Sequence, residues 1–141
     1  RGGVANREVA DLEGRGPALR ACATDQVLLN LEHRGPEWDL LPFCQARGMP
    51  VMAYSPVGQG GRLLSHVGLG RLAAARGASR AQLALAWLLA KDGVIAIPKA
   101  ADATHLRENA AAAEMELTAE ELAALDGLFP PPTRKRPLAM L

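Results

Sequence analysis

Four short apolar runs, each ending in a turn former or a polar residue, leave this chain few ways to fold. They are Gly2-Gly3-Val4-Ala5-Asn6, Gln26-Val27-Leu28-Leu29-Asn30-Leu31, Val51-Met52-Ala53-Tyr54 and Gly93-Val94-Ile95-Ala96-Ile97-Pro98. The continuous apolar centre of the second run suits a parallel strand covered on both faces. Between the runs the pattern turns helical. Arg7 to Glu13 is a weak amphipathic helix, broken by Gly14-Arg15-Gly16-Pro17. Glu37 to Arg47 places Trp38, Leu41 and Cys44 or Gln45 on one side, with Gly48 at the C-terminal stop. Leu69 to Arg76 is closed by Gly77, and Arg80 to Lys91 opens on the capping box Ser79-Arg80-Ala81-Gln82. Asp102 or Thr104 caps a helix to about Ala113, and a second capping box at Thr118-Ala119-Glu120-Glu121 opens the last helix, which runs to Leu128.

Strands alternating with helices imply a parallel sheet with right-handed crossovers. The helix from Arg80 to Lys91 is apolar on nearly every side, so more than one neighbour must bury it. After Phe129 the run Pro130-Pro131-Pro132 excludes helix and paired strand, because consecutive prolines fix φ and remove donors. The expected organisation is one domain over residues 1–141, with 129–141 an extended proline-rich tail.

Composition narrows the function classes. Net charge is +1, from 16 Lys+Arg against 15 Asp+Glu, which gives no electrostatic footprint for nucleic acid or a membrane surface. Leu72 to Leu83 has the outline of a helix-turn-helix, but its second helix continues as Leu85-Ala86-Trp87-Leu88-Leu89 and would bury the face that must read bases. Two cysteines, Cys22 and Cys44, form no disulfide framework and point to a reducing cytoplasm. No apolar run reaches the ~18 residues of a membrane span. No Cys/His spacing suggests a metal, and His33 and His66 read as surface histidines, with bordering the substrate the alternative for His33 in the loop after the second run.

The polar candidates gather where the runs end: Asn6, Tyr54 with Ser55, and Lys99. Functional groups at the carboxyl ends of parallel strands are the polarity of a β/α barrel. Here the sequence resembles the aldo-keto reductase family. The resemblance is carried by Gln26 to Leu31, Leu40-Leu41-Pro42, Val51-Met52-Ala53-Tyr54-Ser55-Pro56, Leu83 to Leu89, Val94-Ile95-Ala96-Ile97-Pro98-Lys99, Glu108-Asn109 and Leu117-Thr118-Ala119-Glu120-Glu121. It covers essentially the whole chain, and corresponds to the C-terminal half of a (β/α)8 TIM barrel, strands five to eight.

The resemblance implies an oxidoreductase that uses NADPH/NADP+ to reduce aldehydes or ketones. Tyr54 would stack on the nicotinamide ring, and Asn6 and Gln26 would meet its carboxamide. Ser55 and the backbone of Val57 to Gly61 would approach the pyrophosphate. Lys99 would face the adenosine 2′-phosphate, His105 would lie beside it, and Glu108 and Asn109 would lie near the adenine. The family's catalytic Asp, Tyr, Lys and His belong to the first half of the barrel and have no counterpart here, so no catalytic residue is assigned. The chain opens on Arg1 rather than Met, and the expectation is a fragment or partial gene product of a reductase, inactive alone, whose N-terminal half lies upstream. A non-enzymatic NADP-binding module, or two copies completing a barrel, is the alternative.

Three positions depart from the family pattern. Ala5 stands where many members carry Ser, Ala100 follows Lys99 where Ser is common, and His105 occupies the position of an Arg on the 2′-phosphate, with Arg107 two residues on. A histidine carries charge only when protonated, so these departures leave NADH open as the cofactor.

Overall fold

The computed structural model describes residues 2–59 and 61–141. Arg1, just before the first apolar run, and Gly60, in the expected phosphate loop, lie outside the described residues. The four runs form β1 (Gly2–Ala5), β2 (Cys22–Leu28), β3 (Val51–Tyr54) and β4 (Val94–Ile97). They pair in chain order as one parallel sheet, β1-β2-β3-β4. Among the described residues six α-helices accompany them: α1 (Val9–Glu13), α2 (Leu40–Gln45), α3 (Val67–Arg76), α4 (Arg80–Leu89), α5 (Ala103–Ala112) and α6 (Ala119–Leu128).

Register separates the two faces of the sheet, because paired residues of parallel strands point the same way. One cross-strand row is Asp25, Val51 and Val94, and the next row on that face is Val27, Ala53 and Ala96. Asp25, Val27, Val51 and Ala53 are fully buried in this layer. The opposite face carries Gln26, Met52 and Ile95, then Leu28, Tyr54 and Ile97. On it Ile95 is 46% exposed and Ile97 39%, although isoleucine is among the residues most often buried. This face is the inner wall of a barrel, and β1 and β4 are its open edges. Eight strands close such a barrel; the described residues supply four.

Local chemistry explains most of the element ends. Ser79 and Gln82 exchange reciprocal capping bonds at the start of α4, as do Thr118 and Glu121 at the start of α6. Of the two candidate caps of α5, Asp102 is the one used: its Oδ1 accepts from the His105 amide at 2.9 Å. Gly77 ends α3 at φ 70°, a left-handed position that only glycine adopts without strain. Helix α4 is buried by packing against α3, α5 and β4.

Several expectations are corrected. Strand β2 begins at Cys22, four residues before the apolar run, and ends at Leu28. Its polar opening is held by tertiary bonds, with Cys22 in register with Gly2 and the Thr24 hydroxyl donating to the Pro50 carbonyl at 2.7 Å. The helix expected from Glu37 starts only at Leu40, after a 3-10 turn over Gly35–Glu37. Pro42 has no N–H to extend the helix backwards and fits only in its first turn. Helix α3 starts two residues early, at Val67. His66 is its N-cap, accepting the Leu69 amide at 3.2 Å, and the imidazole packs on Phe129 with ring centroids 4.8 Å apart. A half-buried cap replaces the surface histidine.

The tail has neither helix nor paired strand, as its prolines require, but the Arg134-Lys135-Arg136 run is not simply solvated. Lys135 pairs with both Asp39 and Glu8, and the Leu138 amide donates to Glu8 Oε1 at 3.2 Å. The tail is thereby strapped across the carboxyl end of the sheet, where its residues Pro130 and Arg136 share a cavity of about 420 Å³ with Leu28 and His33.

Candidate functional site

Two left-handed backbone positions mark the carboxyl edge of the sheet. Asn6 has φ 52° and Ser55 φ 48°, the only non-glycine residues with positive φ among those described. Asn tolerates this region and Ser does so less readily, so each turn needs external support. For Asn6 it is β2, since the Asn6 amide donates to the Gln26 carbonyl at 2.9 Å. For Ser55 it is Asn30, whose Nδ2 donates to the Ser55 carbonyl at 2.9 Å. Asn30 is fully buried, and its Oδ1 accepts from the amides of Glu32 and His33, each at 2.9 Å. One asparagine therefore ties the loop after β2 to the loop after β3.

These turns bring four of the expected residues together on the open face. Tyr54 ends β3, and its hydroxyl lies 3.5 Å from Asn6 Oδ1. Gln26 is in register with Ala5, next to Asn6. Ser55 follows Tyr54, and its Oγ accepts from Gln59 Nε2 at 3.0 Å. A phenol ring beside two carboxamide side chains offers a flat apolar surface with a donor and an acceptor at its edge.

The other expected residues meet in a cleft of about 740 Å³ at the same edge. Val57, Lys99, His105, Glu108 and Asn109 all line it. Asn6, Gln26, Tyr54 and Ser55 do not, so the candidates form two neighbouring clusters joined by the loop after β3. The cleft wall is apolar on the side of Ala73, Ala74 and Ala78, while Lys99, His105 and Arg80 bring basic groups.

His105 is not free to act as a simple surface cation. Its Nδ1 lies 3.2 Å from Asp102 Oδ2, and its amide holds the other carboxylate oxygen. That amide bond, ahead of any charge effect, keeps the Asp102 carboxyl below its usual pKa. The position expected beside the phosphate thus carries a neighbouring carboxylate.

Sequence reasoning missed four polar residues at or behind the site. Asn30 read as part of an apolar run, yet it ties the two loops. Asp25, beside Gln26, is fully buried with Oδ2 unpartnered among the described residues, and burial pushes its carboxyl up to about 6. Arg34 is buried against Trp87, its guanidinium bonded to Glu37, to Asp126 at 2.7 Å and to the Phe129 carbonyl at 2.6 Å. Burial opposes its charge, but Glu37 and Asp126 prevail and hold its pKa above the ordinary value. Arg80 lines the cleft. The signal for it was Gly70, a glycine inside α3: a Cβ there would lie 2.3 Å from Arg80 Nη2.

An open half-barrel with its polar residues gathered at the carboxyl ends of parallel strands, and a cleft beside an aromatic ledge at the same edge, defines an α/β-barrel protein with its candidate site at that edge. The chain belongs to the aldo/keto reductase family, whose model matches residues 3–129. It is similar to methylglyoxal reductase YeaE of Escherichia coli K12, with 47% identity over all of this chain and 52% of that protein. An uncharacterised oxidoreductase of Bacillus subtilis, YtbE, is 33% identical over 89% of this chain and 44% of its own length. Among solved structures, an aldo/keto reductase from Klebsiella pneumoniae in complex with NADP and acetate superposes with a TM-score of 0.93 at 48% identity, covering 99% of this chain and 51% of that one. The chain spans about half the length of these relatives. Among the described residues, no helix is long and apolar enough to cross a membrane.

Proposed function

We propose that residues 1–141 are the cofactor-binding C-terminal half of an NADPH-dependent aldo/keto reductase domain that interconverts a small aldehyde or ketone and its alcohol, acting in the cytoplasm. The observation that carries this reading is the cleft in which Val57, Lys99, His105, Glu108 and Asn109 converge beside the Asn6–Tyr54 ledge. The donor set fits an extended dinucleotide. Tyr54 presents a flat face to a nicotinamide, and Asn6 and Gln26 supply the donor and acceptor that a carboxamide needs. Ser55 and Val57 lie on the path between the two clusters, and Lys99 brings a compact cation for a phosphate dianion. Glu108 and Asn109 stand at the adenine end. When bound, the nicotinamide supplies the hydride. The residues of this chain bind and orient; proton transfer is assigned to none of them, but to an Asp, Tyr, Lys and His on the other half of the barrel.

The test is a fluorescence titration with NADPH and NADH. Lys99→Met should weaken NADPH by about ten-fold or more, the value of one charge-assisted contact, and leave NADH nearly unchanged; equal affinities in variant and parent would remove the 2′-phosphate assignment. The 141-residue chain alone should give no NADPH-dependent carbonyl reduction, and fusion to the N-terminal half of a relative should restore it. Turnover by the isolated chain overturns the division of labour. The exposed Ile95 and Ile97 also favour a second reading, in which two copies associate through their open faces. A purely monomeric chain in size-exclusion chromatography at high concentration argues against it.

A further inference from the structure

We infer that Arg80, at the start of α4, is the second cation for the adenosine 2′-phosphate and sets the preference for phosphorylated over unphosphorylated cofactor; this rests on the dinucleotide reading of the cleft. Lys99 brings one charge to the cleft, whereas a 2′-phosphate is a dianion near neutral pH. His105 adds less, because its Nδ1 and its amide both face Asp102, whose carboxylate offsets the charge a protonated ring would bring. Ala100 has no hydroxyl to offer. Arg80 lines the same cleft, is exposed, and has no carboxylate partner among the described residues. A planar fork of donors with no internal partner suits a phosphate monoester, which it can engage through two oxygens.

Gly70 accounts for how the guanidinium comes to rest there. Glycine inside a helix is disfavoured relative to alanine, and α3 accepts one at the position that Arg80 crosses. A Cβ on Gly70 would fall 2.3 Å from Arg80 Nη2 and 2.6 Å from Nε, far inside contact distance. The glycine lets the guanidinium lie close against α3 at the cleft wall, a contact that restricts the side chain and lowers the entropy lost when it grips an anion.

The experiment is calorimetric titration of the full chain with adenosine 2′,5′-bisphosphate and, in parallel, with 5′-AMP. Arg80→Met should weaken the bisphosphate about ten-fold or more and change 5′-AMP less than two-fold. Gly70→Ala keeps the charge but displaces it, and should lose part of the same discrimination while the extra methyl favours the helix. Unchanged bisphosphate affinity in Arg80→Met, equal loss of both nucleotides, or parental discrimination in Gly70→Ala each overturns the assignment. If the parent binds neither nucleotide, the dinucleotide reading itself fails, a result distinct from a failure of Arg80 alone.

Discussion

Replacing Asp25 with Asn should stabilise this protein above pH 6 and flatten its stability profile in mild acid. Asp25 sits in the covered layer of the sheet in register with Val51, fully buried. Its Oδ1 has only a long bond, 3.4 Å, from the Arg7 amide, and Oδ2 has no partner among the described residues. Burial raises the carboxyl from 3.8 to about 6, against the weaker opposing pull of Arg7. At 1.36 kcal/mol per pH unit, keeping this group ionised in the fold costs about 3 kcal/mol at neutral pH. The folded chain holds the proton more tightly than the unfolded one. The contribution of Asp25 is therefore most favourable below pH 3.8, is lost as pH rises from there to about 6, and is constant above. Asn keeps the shape and removes the charge, but gives up the attraction of Arg7 and leaves the two N–H donors of its amide to be satisfied. The net gain expected is about 1–3 kcal/mol, a sizeable share of a typical domain's stability. Urea denaturation of parent and Asp25→Asn at unit steps from pH 4 to pH 8 measures it. Parallel profiles across that range, or a variant less stable at pH 7, would refute the assignment of a strained buried carboxylate.

Two further substitutions probe the supports of the site. Asn30→Ala removes three bonds of 2.9 Å; the Glu32 amide loses its partner, while the Ser55 carbonyl keeps the Gly58 amide and the His33 amide keeps the backbone carbonyl of residue 30. The expected loss is about 1–3 kcal/mol, and a denaturation midpoint shifted by less than the equivalent of about 1 kcal/mol speaks against Asn30 as the tie between the loops. Arg34→Met leaves the Phe129 carbonyl bare, while Lys91, 2.6 Å from Glu37, still neutralises that carboxylate. The loss should fall near about 3 kcal/mol, the lower end for breaking a buried pair, and adding Lys91→Met should cost far more than the sum of the single changes.

Much of this molecule is local in origin, and that part was legible in the sequence. The capping bonds of Ser79 with Gln82 and Thr118 with Glu121 span three residues, so they are written in adjacent letters. The stops at Gly77 and at the prolines of the tail are likewise properties of single residues. The periods of two and 3.6 distinguish strand from helix without reference to the rest of the chain, and they place Tyr54 and Lys99 at the ends of neighbouring strands. What the tertiary structure alone decided is long in range. Arg34 meets Asp126 across 92 residues and Lys135 meets Asp39 across 96, pairings that no spacing announces. Cys22 to Asp25 looks too polar for a strand until β1 and β3 flank it. Asp25 is an ordinary surface carboxylate by composition, and it becomes costly only because the covered layer closes over it. Arg80 is an unremarkable first-turn arginine until α3, α4 and α5 set it, over Gly70, in one cleft with Lys99 and His105. Patterns along the chain say which elements form and which ends they present; which charges meet is settled by the path between them.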